Sequence, residues 1–153
     1  MKKKNDTSYK KYLLFLAIFL LLFIIFKGVL IIAILIILSL GMSYIVNNYN
    51  LRQYGFELVT FVGVLTGMKY GPLYGLIVSF ILITYHMVFG GFIAQYVFWV
   101  IPSYSLAGLI AGFFPNSSVS NLGFYLALFT NIINSFFTLI RSPGYLPKYM
   151  IFV

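Results

Sequence analysis

The chain of 153 residues has no cysteine, a single histidine (His86) and only two acidic residues, Asp6 and Glu57. Without thiols there are no disulfides, no cysteine nucleophile and no thiolate metal site. Two isolated carboxylates cannot form the paired acid and base of a hydrolase. No nucleophile–base–acid constellation, no glycine loop opening a soluble helix to cradle phosphate and no metal-ligand spacing is present. A lone histidine lacking carboxylate or cysteine companions is a poor metal ligand set. The sequence thus predicts no catalytic residue, no metal site, no cofactor and no enzyme. Charge of any kind is scarce, at 8% of residues, against about 25% in a soluble globular chain.

Apolar residues dominate instead. They make up 62% of the chain, and mean hydropathy is +1.03. Such a composition belongs in lipid, and the length allows one domain. The net charge of +8 does not indicate nucleic acid, because five of the ten cations (Lys2, Lys3, Lys4, Lys10 and Lys11) crowd the first eleven residues ahead of a long apolar run. Residues 1–11 therefore read as a basic cytoplasmic segment that orients the first span in the bilayer. The run from Tyr12 to Val46 is too long for a cleaved signal peptide, and no small-x-small cleavage site follows its first half.

Those 35 positions would reach about 52 Å as one helix, whereas a hydrocarbon core is about 30 Å thick. Lys27-Gly28 is the one interruption, which predicts two spans, 12–26 and 28–46; a single long tilted helix is the alternative. Asn47-Asn48-Tyr49-Asn50 and Arg52 make a polar loop. A third span, 55–70, ends at Gly71-Pro72, because proline disfavours helix in the residue before it and suits the first turn of a new one. A fourth, 72–89, follows at once and stops at Gly90-Gly91. The fifth, 95–114, contains Pro102, and the sixth, 121–140, ends at Arg141-Ser142-Pro143-Gly144.

The expected fold is an all-α, polytopic membrane protein: a six-helix transmembrane bundle over residues 12–140 with a cytoplasmic tail, 141–153. Six crossings leave eight cations inside and only Lys27 and Lys69 outside. Five crossings would bury Lys27 and move Arg52, Arg141 and Lys148 outside. Six therefore fits the orientation rule better, with both termini cytoplasmic at the cell membrane.

Helical spacing sorts the polar residues by face. Gly63, Gly67, Gly71 and Gly75 recur every fourth residue; Pro72 divides the series, so it marks the seam of a helical hairpin. On the fourth span Gly75, Ser79, Leu82 and His86 share a face. An ionisable group within a span is a functional candidate, and a neutral imidazole hydrogen-bonded to a neighbouring helix is the structural alternative. The sixth span carries Asn131, Asn134, Ser135 and Thr138 within about 100° of arc, with Ala127 on the same side. Amides facing hydrocarbon are costly, so this stripe faces other helices or a polar cavity. Asn131, Asn134, Ser135, Thr138 and His86 are the candidate substrate-binding residues. On the fifth span Gly108 and Gly112, with Ala107 and Ala111, repeat the small-residue spacing, and Pro102 frees the carbonyl of Phe98 beside Ser103 and Ser105. Glu57 lies near the loop and Arg52; an antiparallel hairpin turning at Gly71 would bring it level with His86.

The stretch from Glu57 to Phe80, with its turn Gly71-Pro72-Leu73-Tyr74-Gly75, and the later Leu106-Ala-Gly-Leu-Ile-Ala-Gly112 resemble the substrate-binding S components of energy-coupling-factor (ECF) transporters. The resemblance covers roughly residues 55–114 and rests on glycine pattern, size and six spans. The Ala-x-x-x-Ala pair that such proteins often carry on the first helix is absent from the first two spans here; Ala107 and Ala111 form the only one. The resemblance implies binding of a small nutrient from outside, with a membrane-embedded coupling subunit and cytoplasmic ATPases as partners. A second reading is a non-transporting scaffold, similar to the small rod-shape-determining membrane proteins. In a binder the Asn131 stripe lines a pocket; in a scaffold it is packed solid.

Overall fold

A computed structural model describes residues 6–49, 58–90, 97–141 and 143–145, and every described element is helical. In chain order these are α1 (Asp6–Asn48), α2 (Val59–Tyr70), α3 (Pro72–Phe89), α4 (Val97–Ala111), α5 (Val119–Arg141) and a 3-10 turn at Pro143–Tyr145. Phe26–Asn48, Pro72–Phe89 and Val119–Arg141 are each long and apolar enough to cross a membrane, and α4 is a shorter apolar helix. The molecule is thus an all-helical protein with the helices of a membrane protein.

The first helix departs from expectation. Residues 12–26 and 28–46 are not two helices turning at Lys27-Gly28: α1 runs through both without a break. The reason lies in what that dipeptide lacks. One glycine costs a helix only about 1 kcal/mol relative to alanine, and lysine is a good helix former. Proline is the residue that weakens a helix most, by removing a donor, and the first proline of the chain is Pro72. The long apolar stretch keeps its backbone groups paired internally, as lipid requires.

Two compact units divide the chain, Met1–Ile34 and Leu35–Val153. In the first, Tyr12, Leu13, Phe15 and Phe19 are all more than half exposed. In the second, the C-terminal part of α1 joins α2–α5.

The sequence break at Gly71-Pro72 is real and its geometry is specific. Gly71 has φ +102° and ψ 170°, a region that residues with a Cβ avoid. Its amide closes α2 by donating to Gly67 O at 2.8 Å, and its carbonyl opens α3 by accepting from Gly75 N at 3.2 Å. Pro72 occupies the first turn of α3, where its missing N–H has no helical acceptor to lose. One residue therefore ends a helix and begins the next, and α2 and α3 pack as an antiparallel pair.

Helix α4 lies across that pair, and the contact is backbone against backbone. A Cβ built on Gly75 would strike the carbonyl oxygen of Gly108 and lie 2.6 Å from Gly67 Cα; one on Gly108 would strike Gly75 O and Ser79 Oγ. A Cβ on Gly63 would meet Ser79 Oγ, and one on Gly112 would meet Pro72. The hairpin seam read from sequence is thus a three-helix junction, and Gly108 and Gly112 complete it. In lipid, where association depends on close packing, such small-residue faces bring helices together.

At Gly112 the last turn of α4 tightens. Gly112 N donates to Leu109 O (3.1 Å), Phe113 N to Ile110 O (3.0 Å) and Phe114 N to Ala111 O (3.1 Å). These i−3 bonds satisfy the orphan carbonyls of a helix end, so α4 stops at Ala111 rather than Phe114. Helix α5 begins two residues earlier than the spacing indicates, at Val119, where Leu122 N donates to Ser118 O at 2.9 Å.

Two apolar clusters flank the junction. Val59, Val62, Leu82, Ile83 and Met87 make one, with Leu35, Ile36 and Leu40 of α1 against it. Val64, Met68, Ala107, Ala111 and Leu126 make the other and join α5 to α2 and α4.

Candidate functional site

The polar stripe of α5 divides into two ridges. Thr130, Asn134 and Thr138, at four-residue intervals, are all at most 3% exposed and form the inner ridge with Leu126. Asn131 and Ser135 are half-buried on its flank, continuing the line of Gly123 and Ala127. The residues predicted to act together thus occupy two adjacent environments.

Asn134 meets α4. Ser103 Oγ lies 3.1 Å from Asn134 Oδ1 and 2.9 Å from Val100 O, so one hydroxyl proton is divided between two acceptors. Ser103 is held at this point by the first turns of α4, where Pro102 sits on the exposed side of a helix that stays continuous. Ser105 turns its hydroxyl onto its own helix, donating to Ile101 O at 2.8 Å, and Thr130 does likewise to Ala127 O at 2.8 Å. An amide can form four hydrogen bonds. The Ser103 contact uses one side of Asn134 and leaves recognition capacity on the rest. One turn further along, Phe137 stacks on Trp99, with ring centroids 5.8 Å apart and planes at 18°.

His86 belongs to another interface. Gly75, Ser79 and Leu82 on its face are buried as expected, but His86, near the end of α3, looks toward α1. Its Nδ1 is 3.0 Å from Ser43 Oγ, which donates when the ring proton sits on Nε2. Its carbonyl accepts from Asn47 Nδ2 at 3.2 Å and from Gly90 N at 3.0 Å. Asn47, read from sequence as loop, is the last but one residue of α1 and closes the C-terminal turn of α3. The imidazole therefore holds α1 to α3, whereas Asn134 holds α5 to α4. The candidate partner Glu57 lies outside the described residues, as does Arg52.

The polar column of α1 escaped the sequence reading. Ser39, Ser43 and Asn47 recur every fourth residue, the signal that marked the stripe of α5, but the apolar run around the two serines concealed it. Ser39 is fully buried and its hydroxyl has no hydrogen-bond partner among the described residues. Trp99 and Phe137, 38 residues apart in sequence, gave no local signal of their stack.

Among the described residues no group of three or more histidine, cysteine or acidic side chains could hold a metal ion. Comparison with protein-family models, with characterised proteins and with solved structures finds no match.

Proposed function

We propose that this protein is a solute-binding membrane component of the kind that the S components of ECF transporters exemplify, and that the α4–α5 interface around Asn134 receives a small polar nutrient. The observation that carries this reading is the burial of an amide, 1% exposed, at a helix interface of a chain in which only 8% of residues are charged. Thr130 and Thr138 extend the same ridge by a turn on each side, and Asn131 and Ser135 flank it. Amides and hydroxyls recognise neutral or zwitterionic solutes by hydrogen bonds, and no carboxylate or metal is asked for. The two segments that carry the resemblance, Gly71–Gly75 and Leu106–Gly112, pack against each other through Gly75 and Gly108, and through Pro72 and Gly112. The energy for uptake comes, on this reading, from a membrane-embedded coupling subunit and cytoplasmic ATPases, with no catalytic group in this chain.

The cell membrane is the proposed location, with both termini cytoplasmic. Lysines precede α1 and Arg141 ends α5, and cations favour that side. Both termini on one side require an even number of crossings; α1 is 43 residues long, where one crossing needs about 20, and this placement calls for a turn within it that the unbroken helix does not have.

A scaffold without transport is the second reading. It is favoured by the Ser103–Asn134 bond and the Trp99–Phe137 stack, which fill the same interface with the protein's own side chains. Native mass spectrometry of the gently purified protein separates the two. A binder carries a small molecule that is lost on Asn134→Leu. A scaffold is empty and co-purifies with other membrane subunits.

A further inference from the structure

Ser39 lies one turn before Ser43, in the part of α1 that packs with α2–α5. It is 0% exposed, and its hydroxyl has no hydrogen-bond partner among the described residues. A buried hydroxyl left unpaired is costly. Helical serines and threonines often return the proton to the carbonyl four residues back, as Thr66 and Ser105 do here. Ser39 does not.

A second hydroxyl stands within reach of a shared ligand. Ser43, 4% exposed, places its Oγ 3.0 Å from His86 Nδ1. Whichever ring nitrogen carries the proton, that contact leaves Ser43 able to make a further hydrogen bond. Side chains four residues apart on a helix have Cβ atoms about 5–6 Å apart. A water molecule about 2.7–2.8 Å from each of two hydroxyl oxygens spans that interval.

The spacing of the helices supplies room for it. At the glycine junction α2, α3 and α4 meet backbone on backbone. Over Leu35–Asn48, by contrast, α1 keeps almost all of its Cα atoms more than 8 Å from those of the other helices. Leu35, Ile36 and Leu40 bridge that distance with long side chains. Serine at 39 fills little of it.

We propose that one water molecule is bound between Ser39 and Ser43 and completes a hydrogen-bonded chain that ends on the imidazole of His86. Ser39 donates to the water, the water to Ser43 Oγ, and Ser43 to His86 Nδ1. A backbone carbonyl of α1, which has a second lone pair, accepts the remaining water proton, giving the water the three bonds usual for a buried one. With the ring proton on Nδ1, the same groups pair in the opposite direction. The chain lies within Phe26–Asn48, a stretch long and apolar enough to cross a membrane, where lipid offers no substitute partner. It is separate from the α4–α5 interface and holds whether or not Asn134 binds a solute.

Water-edited solid-state NMR of the labelled protein in proteoliposomes reads the site directly. Ser39 Cβ should gain magnetisation from water several times faster than Ser79 Cβ, which is as deeply buried but packed against Gly63 and Gly108. Thermal unfolding gives an independent readout. Ser39→Ala should lower the melting temperature by about 2–4 °C, the shift that loss of one net hydrogen bond produces in a chain of this length. Alanine is the better helix former and adds no polar atom, so a hydroxyl that binds nothing would leave the variant as stable as the parent or more so. A melting temperature unchanged or raised in Ser39→Ala would overturn the proposal. So would equal transfer to Ser39 and Ser79; with a lowered melting temperature, that result would give the Ser39 proton to its own helix. Loss of a co-purifying solute on Asn134→Leu leaves the proposal standing.

Discussion

At the scale of single residues, a glycine matters here according to what stands opposite it. Gly75 faces the Gly108 carbonyl and the Gly67 Cα, none of which can move without moving a helix. Gly123 faces open space on the same measure. Gly75→Ala should therefore destabilise the protein by about 1–3 kcal/mol, the usual range for forced overpacking. Gly123→Ala should be neutral or stabilising by up to about 1 kcal/mol, since alanine is the better helix former. Unfolding by denaturing detergent, measured side by side, checks the pair. Four-residue spacing revealed the glycine faces but not their partners. That Gly63 would meet Ser79, and Gly112 Pro72, depends on how three helices cross. Ser103–Asn134 was hidden for the same reason: its two ends are 31 residues apart.

At the scale of elements, the boundary at Gly71-Pro72 was legible because two local rules agree there, a positive φ that needs glycine and a ring that suits a first helical turn. Gly71→Ala should cost about 1–3 kcal/mol of stability through backbone strain alone, because its Cβ would touch nothing within 4 Å. Thermal unfolding of the variant, with helical content unchanged, would identify strain rather than packing as the cause. Lys27-Gly28 misled because a charge and a glycine weaken a helix without stopping it. Asn47-Asn48 was assigned to a loop by polarity, yet both residues stay in α1, where Asn47 satisfies the carbonyl of His86. Polarity marks where water or a partner is needed. It does not mark where a helix must end.

At the scale of the whole molecule, a composition of 62% apolar residues and the length of the apolar runs pointed to helices fit to cross a membrane, and the described elements are helical, three of them long and apolar enough to do so. The number of crossings is a different matter, since it depends on what α1 does in lipid. Cysteines introduced at Lys4 and Gly144, probed with an impermeant maleimide in intact cells, should both be shielded until the membrane is opened, and one at Lys27 should label from outside. Labelling of only one terminus in intact cells would mean that α1 crosses once.

The three-helix junction also sets what can move. Where backbones touch, no side chain is left to compress or rotate out of the way, and with Ser79 already against Gly63 and Gly108 a slide of α3 by one helical turn would bring the larger Ile83 against Gly63. Helices α2, α3 and α4 must therefore travel as one block. Any conformational cycle falls to the parts joined to that block through side chains and exchangeable hydrogen bonds rather than backbone contact: the end of α1 at Ser43 and Asn47, and α5 at Asn134.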